Sequence, residues 1–157
     1  MEIRIDAGYR TVADVDVLFD AIDVQVRKLP TSQRIVTAAD WRQCPLMNGD
    51  AAERVLKRIV KMNPRTERSS ALASPGSPTA VLQFMRLIRE ARLADRRMFF
   101  DAEEQIAWLA EVLTEDEAAR LREFLTEDGL EGSSYTRVIE PPAETRASIA
   151  VAARRQR

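Results

Sequence analysis

Three adjacent side chains that could do chemistry follow an apolar run: Asp40, Trp41 and Arg42 stand directly after IVTAA at residues 35–39. An acid, an indole and a guanidinium together can recognise a carboxylate, a phosphate or a protein surface. If the run is a strand of an α/β sheet, these side chains lie at its carboxyl end, where ligands of open α/β folds bind. The competing interpretation is structural: Asp40 pairs with Arg42 or Arg68, and Trp41 covers the core.

A second candidate group stands in the segment NPRTERS, just before the next predicted strand. Asn63, Arg65 and Arg68 place an amide and two guanidinium groups there, and guanidinium groups make bidentate contacts with carboxylates and phosphates. Surface ion pairs are the alternative. Arginine is the common base of this chain, which has few lysines, so an arginine here carries less information than elsewhere.

A third candidate is Ser77 with Thr79, in the loop SPGSPT between a strand and a helix. Free backbone amides and the dipole at a helix N-terminus attract anions. The loop matches neither the P-loop pattern GxxxxGK[ST] nor the dinucleotide pattern GxGxxG. Because Pro75 and Pro78 also lack an amide hydrogen, a simple helix cap is the alternative interpretation.

The composition argues against most catalytic machinery. Histidine is absent, which removes the most common general base and the most frequent zinc ligand. Cys44 is the only cysteine, and with no histidine to activate it we interpret it as a packing residue. The acidic pair at 103–104 and the acidic triplet at 115–117 are interpreted as helix caps. We therefore predict no catalytic residue, no metal and no cofactor.

Size and charge limit the class of protein further. The chain has 157 residues, of which 45% are hydrophobic and 31% charged, which suits one globular domain. A formal net charge of −1 provides no long-range field toward nucleic acid. The N-terminal MEIRIDAGYR lacks the pattern of a signal peptide, and no segment is apolar enough to span a bilayer. We expect a cytoplasmic protein with no nucleic-acid partner.

Alternating patterns along the chain predict an α/β fold: a small four-stranded, largely parallel sheet flanked by helices. The predicted strands are residues 1–5, 35–39, 69–73 and 97–100. Helix starts are marked by Thr11 with Asp14, Asp50 with Glu53, Ser77 with Pro78, Asp101 with Glu104, and Thr114 with Glu117.

The domain is predicted to cover residues 1–127, and residues 128–157 to form a disordered tail without a stable period. A single N-terminal strand could then lie at a sheet edge, which predicts either a homodimer or pairing with a partner strand. The alternatives are that the strand is internal, or that the tail covers it with residues 135–139, the only β-prone run there.

Three stretches carry a resemblance to a family. ADWR after the second strand, NPRTERS before the third, and RRMFFDAEEQIAWLAEVL resemble bacterial STAS or SEC14-like proteins, which have the fold of anti-sigma-factor antagonists. The resemblance covers about residues 1–125. It implies a small sheet flanked by helices that binds proteins or a ligand without catalysis.

The chain departs from this family in two ways. STAS-like domains begin with a hairpin, whereas only one N-terminal strand is evident here. The antagonists also place a phosphorylatable serine where this chain has Leu46, Met47, Asn48 and Gly49, so no phosphosite is carried over.

These observations give three functional hypotheses. The first is a noncatalytic regulatory module that binds a protein partner. The second is a sensor of a small lipid-like or anionic ligand, held in a pocket among the helices. The third is an enzyme, for which the sequence offers no identifiable catalytic group.

Overall fold

The computed structural model describes residues 1–5, 8–126 and 137–138. The strands are β1 Glu2–Arg4, β2 Ile35–Asp40, β3 Thr66–Leu72, β4 Arg96–Phe99 and β5 Arg137–Val138. The helices are α1 Val12–Arg27, α2 Gly49–Met62, α3 Pro78–Glu90, α4 Ala102–Ala110 and α5 Glu115–Thr126, with a 3₁₀ turn at Asn63–Arg65.

The predicted α/β class is confirmed: β1 to β4 form a parallel sheet flanked by these helices. The strand order is β4-β3-β2-β1-β5, so the parallel strands lie side by side in chain order. Right-handed crossovers between neighbouring strands all place their helices on one face of the sheet. Among the described strands the order has no reversal, so they do not form the crevice that a reversal opens at the carboxyl edge of doubly wound folds.

Two apolar cores cover the two faces of the sheet. Alternate residues of β2 enter opposite cores: Ile35 and Ala39 pack against α1 to α3, and Val36 and Ala38 pack against α4 and α5. All six residues of β2 are buried, as its continuous apolar run predicts for a strand covered on both faces. The protein is therefore three layers thick, with α1, α2 and α3 on one side.

Local cap signals set most of the helix starts. Thr11 and Asp14 form the predicted capping box, Asp101 accepts a bond from the amide of Glu104, and Thr114 with Glu117 forms a second box. The cap predicted at Asp50 is wrong. The helix begins at Gly49, because the side chain of Asn48 accepts the amide of Ala51 at 2.8 Å. Ser77 and Pro78 begin α3 as predicted, but Ser77 makes no side-chain cap.

Two strand boundaries also differ from the prediction. β3 begins at Thr66, so the NPRTERS segment is partly strand, and β4 begins at Arg96, one residue earlier than predicted. Successive strand residues face opposite sides of a sheet, so the added residue matters. It makes Arg96 a second arginine of β4, on the face of the sheet opposite Arg97.

At the N-terminal edge, β1 pairs in parallel with β2 and antiparallel with β5. Of the outcomes that the sequence left open, the structure has the one in which part of the predicted 135–139 run pairs with β1. A homodimer through this edge remains a prediction. Apart from residues 137–138, the predicted disordered tail at 128–157 lies outside the described residues.

Candidate functional site

The predicted site at the end of β2 is an ion-pair cluster around Asp40. Arg42 donates from Nε and Nη2 to the two carboxylate oxygens at 2.9 and 2.7 Å, and its backbone amide donates at 3.1 Å. Arg4 donates from Nε to the same carboxylate at 3.2 Å. The structural interpretation therefore holds for Asp40, although its second partner is Arg4 and not Arg68.

Both arginines also fasten the end of α5 to the sheet. Arg42 donates to the carbonyl of Leu125 at 2.9 Å, and Arg4 donates to the carbonyl of Phe124. The guanidinium of Arg4 lies over the Phe124 ring, 4.6 Å from its centroid. These bonds satisfy carbonyls at a helix C-terminus, which have no intrahelical partner. The cluster therefore positions α5.

Asp40 stays ionised in this setting. Burial alone would raise the pKa of the Asp40 carboxyl, but hydrogen bonds from the Arg42 side chain and amide, and the charges of Arg42 and Arg4, outweigh it. The net result is a pKa below the ordinary value of an aspartate. Such a carboxylate is a fixed structural charge and a poor general base.

Trp41 has a different role, because it turns away from this cluster into the α1 to α3 core. Its ring packs against Phe84 with centroids 4.8 Å apart, and it is 8% exposed. Its indole N–H is buried without a hydrogen-bond partner among the described residues. A buried indole N–H normally has a hydrogen-bond acceptor. The N–H of Trp41 can therefore donate to an acceptor atom that enters the core.

The other predicted binding residues are mostly used inside the fold. Asn63 donates to the carbonyl of Ala91 at 2.7 Å, and Arg65 donates to the carbonyls of Gln33 and Pro30, both at 3.0 Å. These bonds connect loops at the amino ends of the strands. Asn63 and Arg65 therefore hold loops in place.

Arg68 and the α3 loop complete the predicted set. Arg68 pairs with Glu111 at 2.8 Å and lies over the Trp108 ring, on the opposite face of the sheet from Trp41. Ser77 and Thr79 are exposed at the start of α3 and are not brought together with the other candidates. The eight predicted residues thus form no single site.

A cavity of about 60 Å³ lies instead between the sheet and the α1 to α3 layer. Its apolar lining includes Ile3, Ile5, Phe19, Ile22, Ile59 and Ile88. Ile59 and Ile88, from the C-terminal halves of α2 and α3, are only half-buried, so this is the side of the cavity nearest to solvent. The volume exceeds the roughly 10–15 Å³ that a cavity needs to hold one water molecule.

Seven residues bring polar groups to this lining, among them Tyr9, Thr37, Trp41, Ser69 and Arg96. Thr37 donates to the hydroxyl oxygen of Ser69 at 2.9 Å, which leaves the Ser69 hydroxyl hydrogen available. Arg96 is 9% exposed and donates from Nη1 to the Asn63 side-chain oxygen at 3.1 Å. An apolar cavity with a few converging polar groups is typical of a small-molecule site.

Tyr9 reaches the cavity through a close contact between two loops. Gly8 has a φ of +68°, and a side-chain carbon at this position would lie 2.6 Å from Cδ of Pro45. Only glycine tolerates both the left-handed backbone and this approach. The contact holds the loop after β1 against the loop after β2, with Tyr9 buried beneath it.

The groups near the cavity that could act as nucleophiles are held in their protonated forms. Burial raises the pKa of the Cys44 thiol to about 12, and burial followed by the nearby Cys44 raises the pKa of Tyr9 well above its ordinary value. Both groups are therefore neutral near pH 7. In the described part of the chain, no group of three or more Cys, Asp or Glu side chains could hold a metal ion.

Comparisons of the chain with protein-family models, with curated proteins and with solved structures find no match. The resemblance to STAS or SEC14-like proteins therefore stays a prediction. Among the described helices, none is long and apolar enough to cross a membrane.

Sequence reasoning missed Arg96 and Tyr9. A signal for Arg96 was present in the pair Arg96-Arg97 at the start of a strand, because neighbouring strand residues face opposite sides. In a sheet covered on both faces, two such arginines must therefore enter opposite helical layers. Tyr9 had no comparable signal, since its position depends on the contact of Gly8 with a loop 37 residues away.

Proposed function

We propose that the protein is a noncatalytic module that binds a small, mainly apolar ligand between its sheet and the α1 to α3 layer. The observation that carries this proposal is the cavity of about 60 Å³ in the middle of the larger core. Protein interiors are close-packed, and a cavity of this size costs about 1–2 kcal/mol relative to a filled core. A ligand that fills it regains those contacts.

The unpartnered indole N–H of Trp41 supports the same proposal. A buried donor without an acceptor costs free energy, and an acceptor atom on a ligand would satisfy it. The cavity also matches the pocket among helices that the ligand-sensor hypothesis requires.

The noncatalytic part of the proposal rests on protonation states. The thiol of Cys44 and the phenol of Tyr9 stay neutral at physiological pH, so neither is an activated nucleophile or base. Asp40, a buried acid, is occupied by two arginines. We propose a cytoplasmic location as well, which accords with Cys44 as a free thiol.

A small ligand is expected to raise the thermal midpoint of the protein. At about ten times Kd, binding stabilises the folded state by about 1.4 kcal/mol, which corresponds to a shift of about 5 °C for a domain of this size. Differential scanning fluorimetry with a panel of small alcohols, aromatic compounds and carboxylates measures it.

The matched control compares the same substitution inside and outside the cavity. Ala39→Ile adds volume to the cavity lining and should abolish the ligand-dependent shift, whereas Ala107→Ile, on the exposed face of α4, should keep it. If no compound shifts the wild-type midpoint, or if Ala39→Ile responds like wild type, the cavity is not a binding site.

A second candidate function, binding to a protein partner, has an observation of its own. β4 is the last strand of the sheet on one side among the described strands, and Phe100 beside it is 51% exposed. Leu82 and Met85 are 67% and 51% exposed on α3, which packs next to β4. An open strand edge beside exposed apolar residues is suited to strand addition or helix docking.

Partner binding at this surface is tested by stoichiometric co-purification. A double change, Leu82→Asp with Met85→Asp, should remove the partner, and Val17→Asp, at an equally exposed position on α1, should retain it. Retention by both variants would place the partner elsewhere.

A further inference from the structure

The buried side chain of Arg96 carries information about the ligand. Arg96 lies in β4 opposite Ser69 of β3 and lines the cavity. Its one side-chain hydrogen bond within the described residues goes to the neutral amide oxygen of Asn63. None of the ion pairs between described residues includes it, whereas Arg4, Arg42, Arg54, Arg58, Arg68 and Arg86 all pair with acids.

A guanidinium in this position is charged and under-compensated. Burial lowers the pKa of Arg96 to about 10, which leaves it protonated at neutral pH. A guanidinium has five N–H donors, and Asn63 accepts one of them. Buried charges in proteins are normally paired with an opposite charge, because an unpaired one loses its hydration without replacement.

We infer that the ligand is a small amphipathic monocarboxylate, with its carboxylate on the guanidinium of Arg96 and its apolar body in the cavity. This inference rests on the proposed function of the cavity. A carboxylate accepts two parallel N–H bonds from one guanidinium, and the available hydroxyl hydrogen of Ser69 lies beside Arg96 in register. The ligand's charge then compensates a guanidinium for which the described residues supply no acid.

The charge and the dimensions of the cavity restrict the chemical class of the ligand further. No other arginine and no lysine lines the cavity among the described residues, so a phosphate dianion would leave one negative charge buried without a partner. Arg96 lies opposite Ser69, and the amide of Trp41 bonds the carbonyl of Leu72, three residues further along β3. The backbones of Arg96 and Trp41 are therefore offset by roughly 10 Å along the sheet. A short alkyl body spans part of that distance.

Pentanoate and pentan-1-ol are suitable probes, because they share an alkyl chain and differ in charge. Isothermal titration calorimetry on the full chain should give a Kd for pentanoate at least about ten-fold lower than that for pentan-1-ol, since charge-assisted bonds to Arg96 are made only by the carboxylate. Arg96→Gln should remove this preference. Arg97→Gln is the matched control and should retain it, because Arg97 lies over Trp108 on the other face of the sheet.

The outcomes separate this inference from the proposed function. If pentan-1-ol binds wild type as tightly as pentanoate does, the monocarboxylate inference is overturned while the cavity remains a binding site. If neither probe nor any compound of the larger panel binds, both proposals are overturned. The comparison of the two probes on wild type does not depend on whether Arg96→Gln folds. If Arg97→Gln loses the preference for pentanoate as fully as Arg96→Gln does, the role of Arg96 is overturned.

Discussion

Replacement of Phe124 by alanine is expected to lower the free energy of unfolding by about 3–5 kcal/mol. Phe124 is 2% exposed in the core between the sheet and the α4 to α5 layer. Its ring also lies beneath the guanidinium of Arg4, so the change removes a cation–π contact together with the buried ring. Urea denaturation followed by circular dichroism gives the unfolding free energies.

Phe100 provides the matched control for this change. It is the same residue type, but it is 51% exposed after the end of β4. Phe100→Ala should therefore cost under about 1 kcal/mol. Comparable losses in the two variants would mean that α5 does not pack on the sheet as the structure has it.

Replacement of Asp40 by asparagine is expected to lower the free energy of unfolding by about 3 kcal/mol. This is the second largest effect that we predict. Asp40 is 4% exposed, and its carboxylate compensates Arg4 and Arg42 at once. Removing one member of a buried pair leaves the remaining charge without compensation. Since both arginines also bind carbonyls of α5, the last turn of that helix should loosen as well, which amide hydrogen exchange at residues 121–126 would detect.

The matched control is Asp20→Asn. Asp20 pairs with Arg58 at 2.7 Å but is 68% exposed, so its loss should cost under about 1 kcal/mol. An equal cost for the two variants would contradict a structural role of the Asp40 cluster.

The pH dependence of stability tests whether ionised Asp40 stabilises the fold. Because its pKa in the folded protein lies below the ordinary value of about 3.9, the ionised carboxylate stabilises the fold above about pH 4. This contribution is lost as the pH falls through the folded-state pKa. The stability gap between wild type and Asp40→Asn should therefore be constant from pH 6 to 8 and narrow below about pH 4.

Much of the secondary structure follows from local patterns. The box of Thr11 and Asp14 is complete within four residues, and the buried strand at 35–39 is recognisable from its own apolar run. Both signals depend on contacts between near neighbours or on a repeat along one element. The start of α2 is an exception to this local control. Asn48 and Asp50 are both good caps, and only the path of the preceding loop selects Asn48.

The candidate site was predicted only in part for a related reason. The pairing of Asp40 with Arg42 involves residues two positions apart, and the sequence allowed for it. The sequence alone did not indicate that Arg4 would complete the cluster, because that contact joins residues 36 positions apart. Whether a polar residue is free to bind a ligand depends on such distant partners.

The sequence by itself therefore determined the α/β class, the succession of strands and helices, and most of the helix caps, since each depends on residues close along the chain. The tertiary structure decided the strand order, the pairing of β5 with β1, and the location of the cavity. It also buried Arg96 without an acid partner among the described residues, which required the packing of α3 against β4. Burial and charge compensation are sums over all neighbours in space, and those neighbours are known only once the layers are assembled.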